Sequence, residues 1–245
     1  MSDRIGPYEL DRVYRGDCRE LLKEVPDDSI HAIISDAPYG SSNSHLREQN
    51  IKEETKIAGD EEGDWRELMP SVLMESARVL DTEESAACFF SEGGGPSLMT
   101  NRLSDWMASY LVFHTTLVWA KGSLGMGWTY RRNHENILVG YRKGSKLRWH
   151  DKTGAVPTVI HVPRSPNPVE DGHPTIKPIP LMEFLVRNHT KRGDIVLDMF
   201  AGSGSTGVAC KKLGRRFIGF ELNPKWAELS NRRINHEKEQ GVLFG

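Results

Sequence analysis

Between residues 65 and 80, apolar side chains recur at helical spacing (Trp65, Leu68, Met69, Val72, Leu73, Ala77, Leu80), which predicts a helix with one face on a core. The other signals are shorter. Nearly continuous apolar runs at 30–34, 85–91, 111–120, 136–142, 194–199 and 216–222 predict strands, as does the stretch 12–17, which ends in Asp17. Helices are predicted at 18–25 (a turn or two), 96–109, 179–188, 205–213 and 224–237. Strand and helix alternate at both ends of the chain, which predicts a parallel sheet covered by helices. The runs 111–120 and 136–142 are expected to pair as an antiparallel hairpin with a Gly-rich insert between them. Two segments carry no such pattern. Residues 41–63 lack apolar periodicity and are too long for an ordinary connection, so they are a candidate mobile loop or lid. Residues 143–175 are interrupted by Pro157, Pro163, Pro166, Pro168 and Pro174 and read as a loop-rich insert.

The length of 245 residues suits one α/β domain with an embedded smaller module, or at most two domains. A content of 38% hydrophobic and 27% charged residues supports a real core and argues against bulk disorder. The net charge of −2 conceals an uneven distribution. Residues 48–92 are strongly acidic. Residues 121–152 carry Lys121, Arg131, Arg132, Arg142, Lys143, Lys146, Arg148 and Lys152 against Glu135 and Asp151, which suits a local anionic partner. Cys18, Cys88 and Cys210 are far apart and show no CxxC spacing, so neither a disulfide framework nor a zinc site is expected, and the histidines show no metal-ligand spacing. No apolar run approaches the ~20 residues that span a bilayer, and no signal peptide opens the chain. A reducing cytoplasm is the expected location.

Two motifs carry chemistry. Gly202, Gly204 and Gly207 fit G-x-G-x-x-G between a strand and a helix. Glycines permit a tight turn and close backbone approach to a ligand, and the helix amino end favours partial negative charge. Glu221, ending the next strand, has a carboxylate able to accept from two ribose hydroxyls. This pattern alone is equally compatible with a dinucleotide fold. Asp198 argues against that, since a carboxylate there opposes a pyrophosphate and suits a ligand bearing an ammonium. So does position: too little chain follows for a second mononucleotide half.

The other motif is Asp36-Ala37-Pro38-Tyr39-Gly40, at the carboxyl end of the 30–34 strand, where open α/β sheets bind ligands. The Asp36 carboxylate and the Ala37 carbonyl can each accept a hydrogen bond from an exocyclic amino group. Pro38 restricts the turn, and Tyr39 offers a face for a base to stack on.

Together these residues resemble the amino-methyltransferases of DNA, which methylate N6 of adenine or N4 of cytosine using S-adenosylmethionine (SAM). The family's D/N/S-P-P-Y/F motif corresponds to Asp36-Ala37-Pro38-Tyr39, and its F-x-G-x-G motif to Phe200-Ala201-Gly202-Ser203-Gly204. Catalytic motif first and cofactor motif last resembles the β class, whose order is permuted. Arg15-Gly16-Asp17-Cys18 resembles the G-D segment that touches the cofactor adenine. His173-Pro174-Thr175-Ile176-Lys177-Pro178 resembles the H-P-T-x-K-P segment that helps hold the methionine end, and His134-Glu135 is also a familiar pair. Ala37 departs from the pattern, standing where the family usually has proline. The carbonyl survives, but the turn loses rigidity, so a working but slower enzyme is expected.

The resemblance implies an α/β, Rossmann-like, SAM-dependent methyltransferase fold, with a circularly permuted, seven-stranded, mostly parallel sheet and an antiparallel hairpin. It implies a catalytic half over residues 1–142, a small target-recognition insert over 143–172 and a cofactor-binding half over 173–245. Asp36, Ala37, Pro38 and Tyr39 are the implied catalytic residues. Asp17, Cys18, Asp36, Thr175, Lys177, Pro178, Asp198, Phe200, Ala201, Gly202, Ser203, Gly204, Ser205, Thr206, Glu221, Leu222 and Asn223 would form the cofactor site, and no metal is implied. Double-stranded DNA is the implied partner, met by Lys121, Arg131, Arg132, Arg142, Lys143, Lys146 and Arg148 through its phosphates, with Trp128, Tyr130 and Trp149 interleaved. The target base would leave the stack for direct in-line transfer. Asp36 points to adenine-N6, with cytosine-N4 as the alternative. A homodimer is compatible with this class.

Overall fold

The computed structural model describes residues 3–38, 62–92, 99–125, 130–165 and 176–237. Two short strands, β1 (Arg4–Ile5) and β2 (Tyr8–Glu9), form a separate antiparallel pair before β3 (Arg12–Arg15). After α1 (Cys18–Leu21) and a 3-10 turn (Leu22–Glu24) come β4 (Ala32–Ser35), α2 (Glu62–Val79), β5 (Glu84–Glu92), α3 (Met99–Tyr110), β6 (Leu111–Ala120) and β7 (His134–Arg142). Next are β8 (Lys146–Leu147), β9 (Val159–His161), α4 (Ile179–His189), β10 (Ile195–Asp198), α5 (Ser205–Lys212), β11 (Arg216–Glu221) and α6 (Pro224–His236).

The principal sheet runs β3-β11-β10-β4-β5-β7-β6-β9. The first five strands are parallel, and β7 is antiparallel to both β5 and β6. The expected seven strands are all present. The loop-rich insert adds two more: β9 extends β6, and β8 pairs with the start of β5. Those two runs are too short to show a period. The insert thus belongs partly to the sheet.

Side chains along the central strands alternate between two cores. Ile33, Ala87, Phe89 and Leu197 enter one, with residues of α1, α2 and α3; Ile34, Cys88, Phe90 and Val196 enter the other, with residues of α4, α5 and α6. This is why the strands read as continuous apolar runs: each pleat is buried. A fully buried Phe or Ile side chain contributes about 1.5–3 kcal/mol, and Ile33, Ile34, Phe89 and Phe90 are all fully buried.

The permuted order is visible in the pairing. β3, from the beginning of the chain, lies in register beside β11, from near the end, with Arg15 opposite Glu221. Asn231 on α6 fastens this edge: its carboxamide accepts from the Val13 N–H at 2.9 Å and donates to the Val13 carbonyl at 2.8 Å. From β10 the chain moves through α5 to β11 on one side, and from β4 through α2 to β5 on the other. The neighbours β10 and β4 therefore flank a topological switch point, and the crevice at their carboxyl ends is where such sheets bind ligands.

Candidate active site

Four adjacent strand ends line up along one edge of the sheet. β3 leads into Gly16-Asp17, β11 ends in Glu221, β10 ends in Asp198 before the glycine turn, and β4 leads into Asp36. Residues from positions 17, 36, 198 and 221 are thereby gathered on a single rim.

The glycine turn is shaped by local sterics. Gly202 (φ 50) and Gly204 (φ 78) are left-handed, which disfavours a side chain at either position. Gly204 also faces α6 closely: a Cβ there would lie 2.9 Å from the Ser230 Cβ. Glu221 braces the turn from β11, accepting from the backbone N–H of Gly202 and of Asn223, both at 2.8 Å. Burial raises the Glu221 pKa, against the pull of these N–H donors. Asn223 caps α6 by accepting from the Lys225 N–H at 2.9 Å, and Leu222 beside it is exposed. Phe200 is half-buried against the α2 core, whereas Ala201, Ser203, Ser205 and Thr206 are buried.

Asp198 is 3% exposed. Its carboxylate accepts from Ser35 Oγ (2.8 Å), Thr206 Oγ1 (2.6 Å) and the Phe200 N–H (3.1 Å). Burial pushes its pKa up to about 6, although all three donors favour the charged form. Asp17 caps α1 and pairs with Arg19 at 2.5 Å; the Arg19 hydrogen bond lowers its pKa in spite of burial. Cys18 is buried, and burial pushes its thiol up to about 12, which makes it a packing group and not a nucleophile.

Asp36 is part-exposed and forms an ion pair with Lys177 from the segment leading into α4. Ala37 and Pro38 are buried, Ala37 within the α2 core. Lys177 Nζ lies 3.4 Å from Glu135 Oε2 and 5.0 Å from the centre of the Phe90 ring. Glu135, near the start of β7, pairs in turn with Lys121. Burial alone would disfavour the charges of Lys177, Glu135 and Lys121. The two lysines nevertheless hold the Glu135 pKa below its ordinary value, and Asp36 and Glu135 hold that of Lys177 above its own. For Lys121 burial prevails over Glu135, and its pKa is lowered. The sequence singled out His134-Glu135 without a role. Its available signal was a carboxylate at the head of an apolar strand, which needs cationic partners when buried.

The basic residues separate into two groups. Lys121, Arg131 and Arg132 lie at the end of the hairpin that adjoins Asp36: Arg132 pairs with Glu92 at 2.6 Å, and exposed Arg131 donates to the Gly125 carbonyl at 2.7 Å. Arg142, Lys143, Lys146 and Arg148 lie at the opposite edge, because β7 runs against β5 and β8 pairs with the first residues of β5. Several are engaged within the protein. Arg148 is 8% exposed and pairs with Asp194 at 2.8 Å; Arg142 binds Asp28 and the carbonyls of Arg78 and Leu80. The basic stretch of residues 121–152 is thus divided between the two ends of the sheet, and Arg148 is turned inward. Tyr39, Gly40, His173, Pro174, Thr175, Trp128 and nearly all of the 41–63 segment lie outside the described residues.

The DNA methylase family profile matches residues 30–232, a span holding both the Asp36 turn and the glycine turn. The chain belongs to the N6-adenine/N4-cytosine DNA methylase family. This chain is 30% identical over 230 residues to the protein YubD of Escherichia coli, covering 92% of this chain and 90% of that protein. It is 28% identical over 262 residues to the DNA adenine methyltransferase YhdJ of the same species, covering 93% of this chain and 83% of YhdJ. The crystal structure of the M1.HpyAVI–SAM complex superposes with a TM-score of 0.70 at 24% identity, over 91% of this chain and 98% of that one, a likeness of fold. Among the described residues, no helix is long and apolar enough to cross a membrane and no His/Cys/Asp/Glu group could hold a metal ion.

Proposed function

We propose that this methylase transfers a methyl group from SAM to N6 of adenine in double-stranded DNA, with the target base swung out of the stack. The observation that carries the reading is the row Asp17, Glu221, glycine turn, Asp36 along one sheet edge. The cradle fits the cofactor. The left-handed turn at Gly202 and Gly204 keeps side chains off the backbone, and Glu221 retains acceptor capacity beyond its two N–H donors. Asp17 and Cys18 would flank the adenine, and the Lys177-Pro178 segment the methionine end. When bound, SAM supplies an electrophilic methyl group on a positively charged sulfur.

The protein's own contribution is positioning and charge. Asp36 and the Ala37 carbonyl accept from the target amino group and orient its lone pair. The Asp36 carboxylate then stabilises positive charge developing on the nitrogen. Arg131 and Arg132, on the same edge, are suited to meet phosphates. Asp at the head of the motif supports adenine, as does the likeness to YhdJ, which is named for that base.

The test is transfer of labelled methyl from SAM to unmethylated duplex DNA, followed by nucleoside analysis. N6-methyladenine is the expected product. N4-methylcytosine would replace the base assignment, and no incorporation into any duplex would overturn the reading.

A further inference from the structure

A cavity of about 460 Å³ lies between β6, β7 and α4, bordered also by β8 and the segment that follows it. It lies away from Asp36. Its β6 residues, 114–117, fall in the first part and middle of that strand, which β7 sets parallel to β5 and β4, whereas Asp36 follows the carboxyl end of β4. Its last two α4 residues, Asn188 and His189, close that helix, whereas Lys177 stands before the helix begins.

The walls are largely apolar, with Leu117, Val139, Leu147 and Phe184 among them, and no carboxylate, ammonium or guanidinium borders the space. Two buried polar side chains do. Asn188 is 8% exposed, and its carboxamide has no hydrogen-bond partner among the described residues. His189 is 2% exposed, and its Nδ1 lies 2.9 Å from the Arg148 carbonyl. A carbonyl only accepts, so Nδ1 carries the proton and Nε2 is an acceptor; Nε2 too has no partner among the described residues. Burial pushes the His189 pKa down to about 4, so the ring is neutral at pH 7. Trp149, part-exposed, meets this ring edge to face, with centroids 5.4 Å apart.

Buried polar atoms are expensive to leave unpaired, and an apolar cavity with a few convergent polar groups is the usual form of a small-ligand site. We propose that this cavity binds an uncharged purine, as base or nucleoside, at a site separate from those of the target base and the cofactor. The lining dictates the class. With no ionic side chain at hand, a charged ligand would be buried without a partner, which selects an uncharged one. The Asn188 carboxamide offers donors beside an acceptor, the pattern with which asparagine meets the amino group and ring nitrogen of adenine. His189 Nε2 calls for an N–H donor, which a purine also carries. A flat ring suits the apolar walls and the Trp149 ring. The volume leaves room beyond a base, and Thr115 and Thr158 border it with hydroxyls suited to a sugar. This inference is independent of the reading of Asp36.

Adenosine is the probe, titrated by calorimetry into the intact protein saturated with SAM and into Asp36→Ala under the same conditions, so that neither the cofactor site nor the target-base site accounts for the signal. A Kd of about 1 mM or tighter is expected in both. In protein labelled with 15N-histidine, the His189 Nε2 resonance, assigned by its loss in His189→Gln, should move as adenosine is added; the calorimetric series stands without that assignment should the variant not fold. Asn188→Leu, close in shape but without the amide, should weaken binding about 10-fold or more. Val156→Trp, which fills the cavity from its border, should abolish it. Both variants should keep their SAM affinity. No binding at about 1 mM adenosine, or an unmoved His189 signal, overturns the proposal. So does wild-type adenosine affinity in both variants, or naphthalene binding as tightly as adenosine, which marks a merely apolar hollow. Binding that Asp36→Ala removes would place adenosine at the target-base site and overturn it too.

Discussion

Ser35 Oγ donates to Asp198 Oδ1 at 2.8 Å, joining two residues 163 positions apart across the gap between β4 and β10. The same hydroxyl accepts from the Met199 N–H at 3.1 Å. Ser35 immediately precedes Asp36, and Asp198 leads into the glycine turn. This one hydroxyl therefore sets the base-binding turn in register with the cofactor turn. The coupling is costly, because it draws a carboxylate into the interior.

That cost has a pH signature. The Asp198 pKa is raised from 3.8 to about 6 in the folded protein, so folding takes up a proton between those values. The group's contribution to stability is fully present below pH 3.8 and is lost as pH rises through 6. Relative to Asp198→Asn, the wild type should lose about 1 kcal/mol between pH 5 and pH 7.5. Urea unfolding of both proteins at the two pH values checks this; a constant difference between them would contradict it.

Asp36→Ala should reduce methyl transfer by at least about 100-fold, with calorimetric SAM binding largely retained. Lys177 loses one of its carboxylates in this variant, so a lower Tm should accompany the change. Loss of transfer and SAM binding together would refute the division of labour between the two turns.

Gly204→Ala should be damaging although it adds one methyl group. The left-handed backbone costs about 1–2 kcal/mol for any L side chain, and the new Cβ would press on Ser230 at 2.9 Å. Thermal unfolding should register a lowered Tm and SAM titration a weakened affinity. An Ala variant with wild-type values would mean that the turn and α6 adjust freely.

The division of the basic residues predicts a contrast in salt dependence. Arg131→Ala should reduce the slope of log affinity for DNA against log salt by about 1, since Arg131 lies at the same end of the sheet as Asp36. Lys146→Ala, at the far edge, should leave the slope unchanged. Fluorescence anisotropy over a salt series decides the matter, and equal effects would show that DNA reaches both ends of the sheet.

Much of the fold was legible because its signals are local. Buried strands declare themselves as apolar runs, and α2 by its period, so predicted and observed strand boundaries differ by at most two residues and those of α2 by one at its end and three at its start. The insert was less legible: β8 and β9 are two and three residues long and exist only because β6 presents a free edge and β5 begins two residues before its register with β4 and three before that with β7. At the site, Asp36, Glu221 and the glycine turn were visible as motifs. Glu135 was visible but had no assigned role, and Ser35 gave no signal, since nothing in a serine at a strand end specifies a partner 163 positions away.

The sequence by itself determined the chemistry available: a carboxylate on a proline-stiffened turn, a glycine turn, and their permuted order. These are properties of residue type and of neighbours a few positions apart. Only the tertiary structure decided which charges meet. It clamped Lys177 between Asp36 and Glu135, spent Asp198 on joining two strands, and sent one part of a continuous basic run to each end of the sheet. The reason is directional. Charge along a chain is a one-dimensional fact, whereas β7 reverses the path of β5, so nearby positions can arrive at opposite edges. Pairing across the sheet then places residues from both ends of the chain within a few ångströms, and burial forces each charge among them to find a partner.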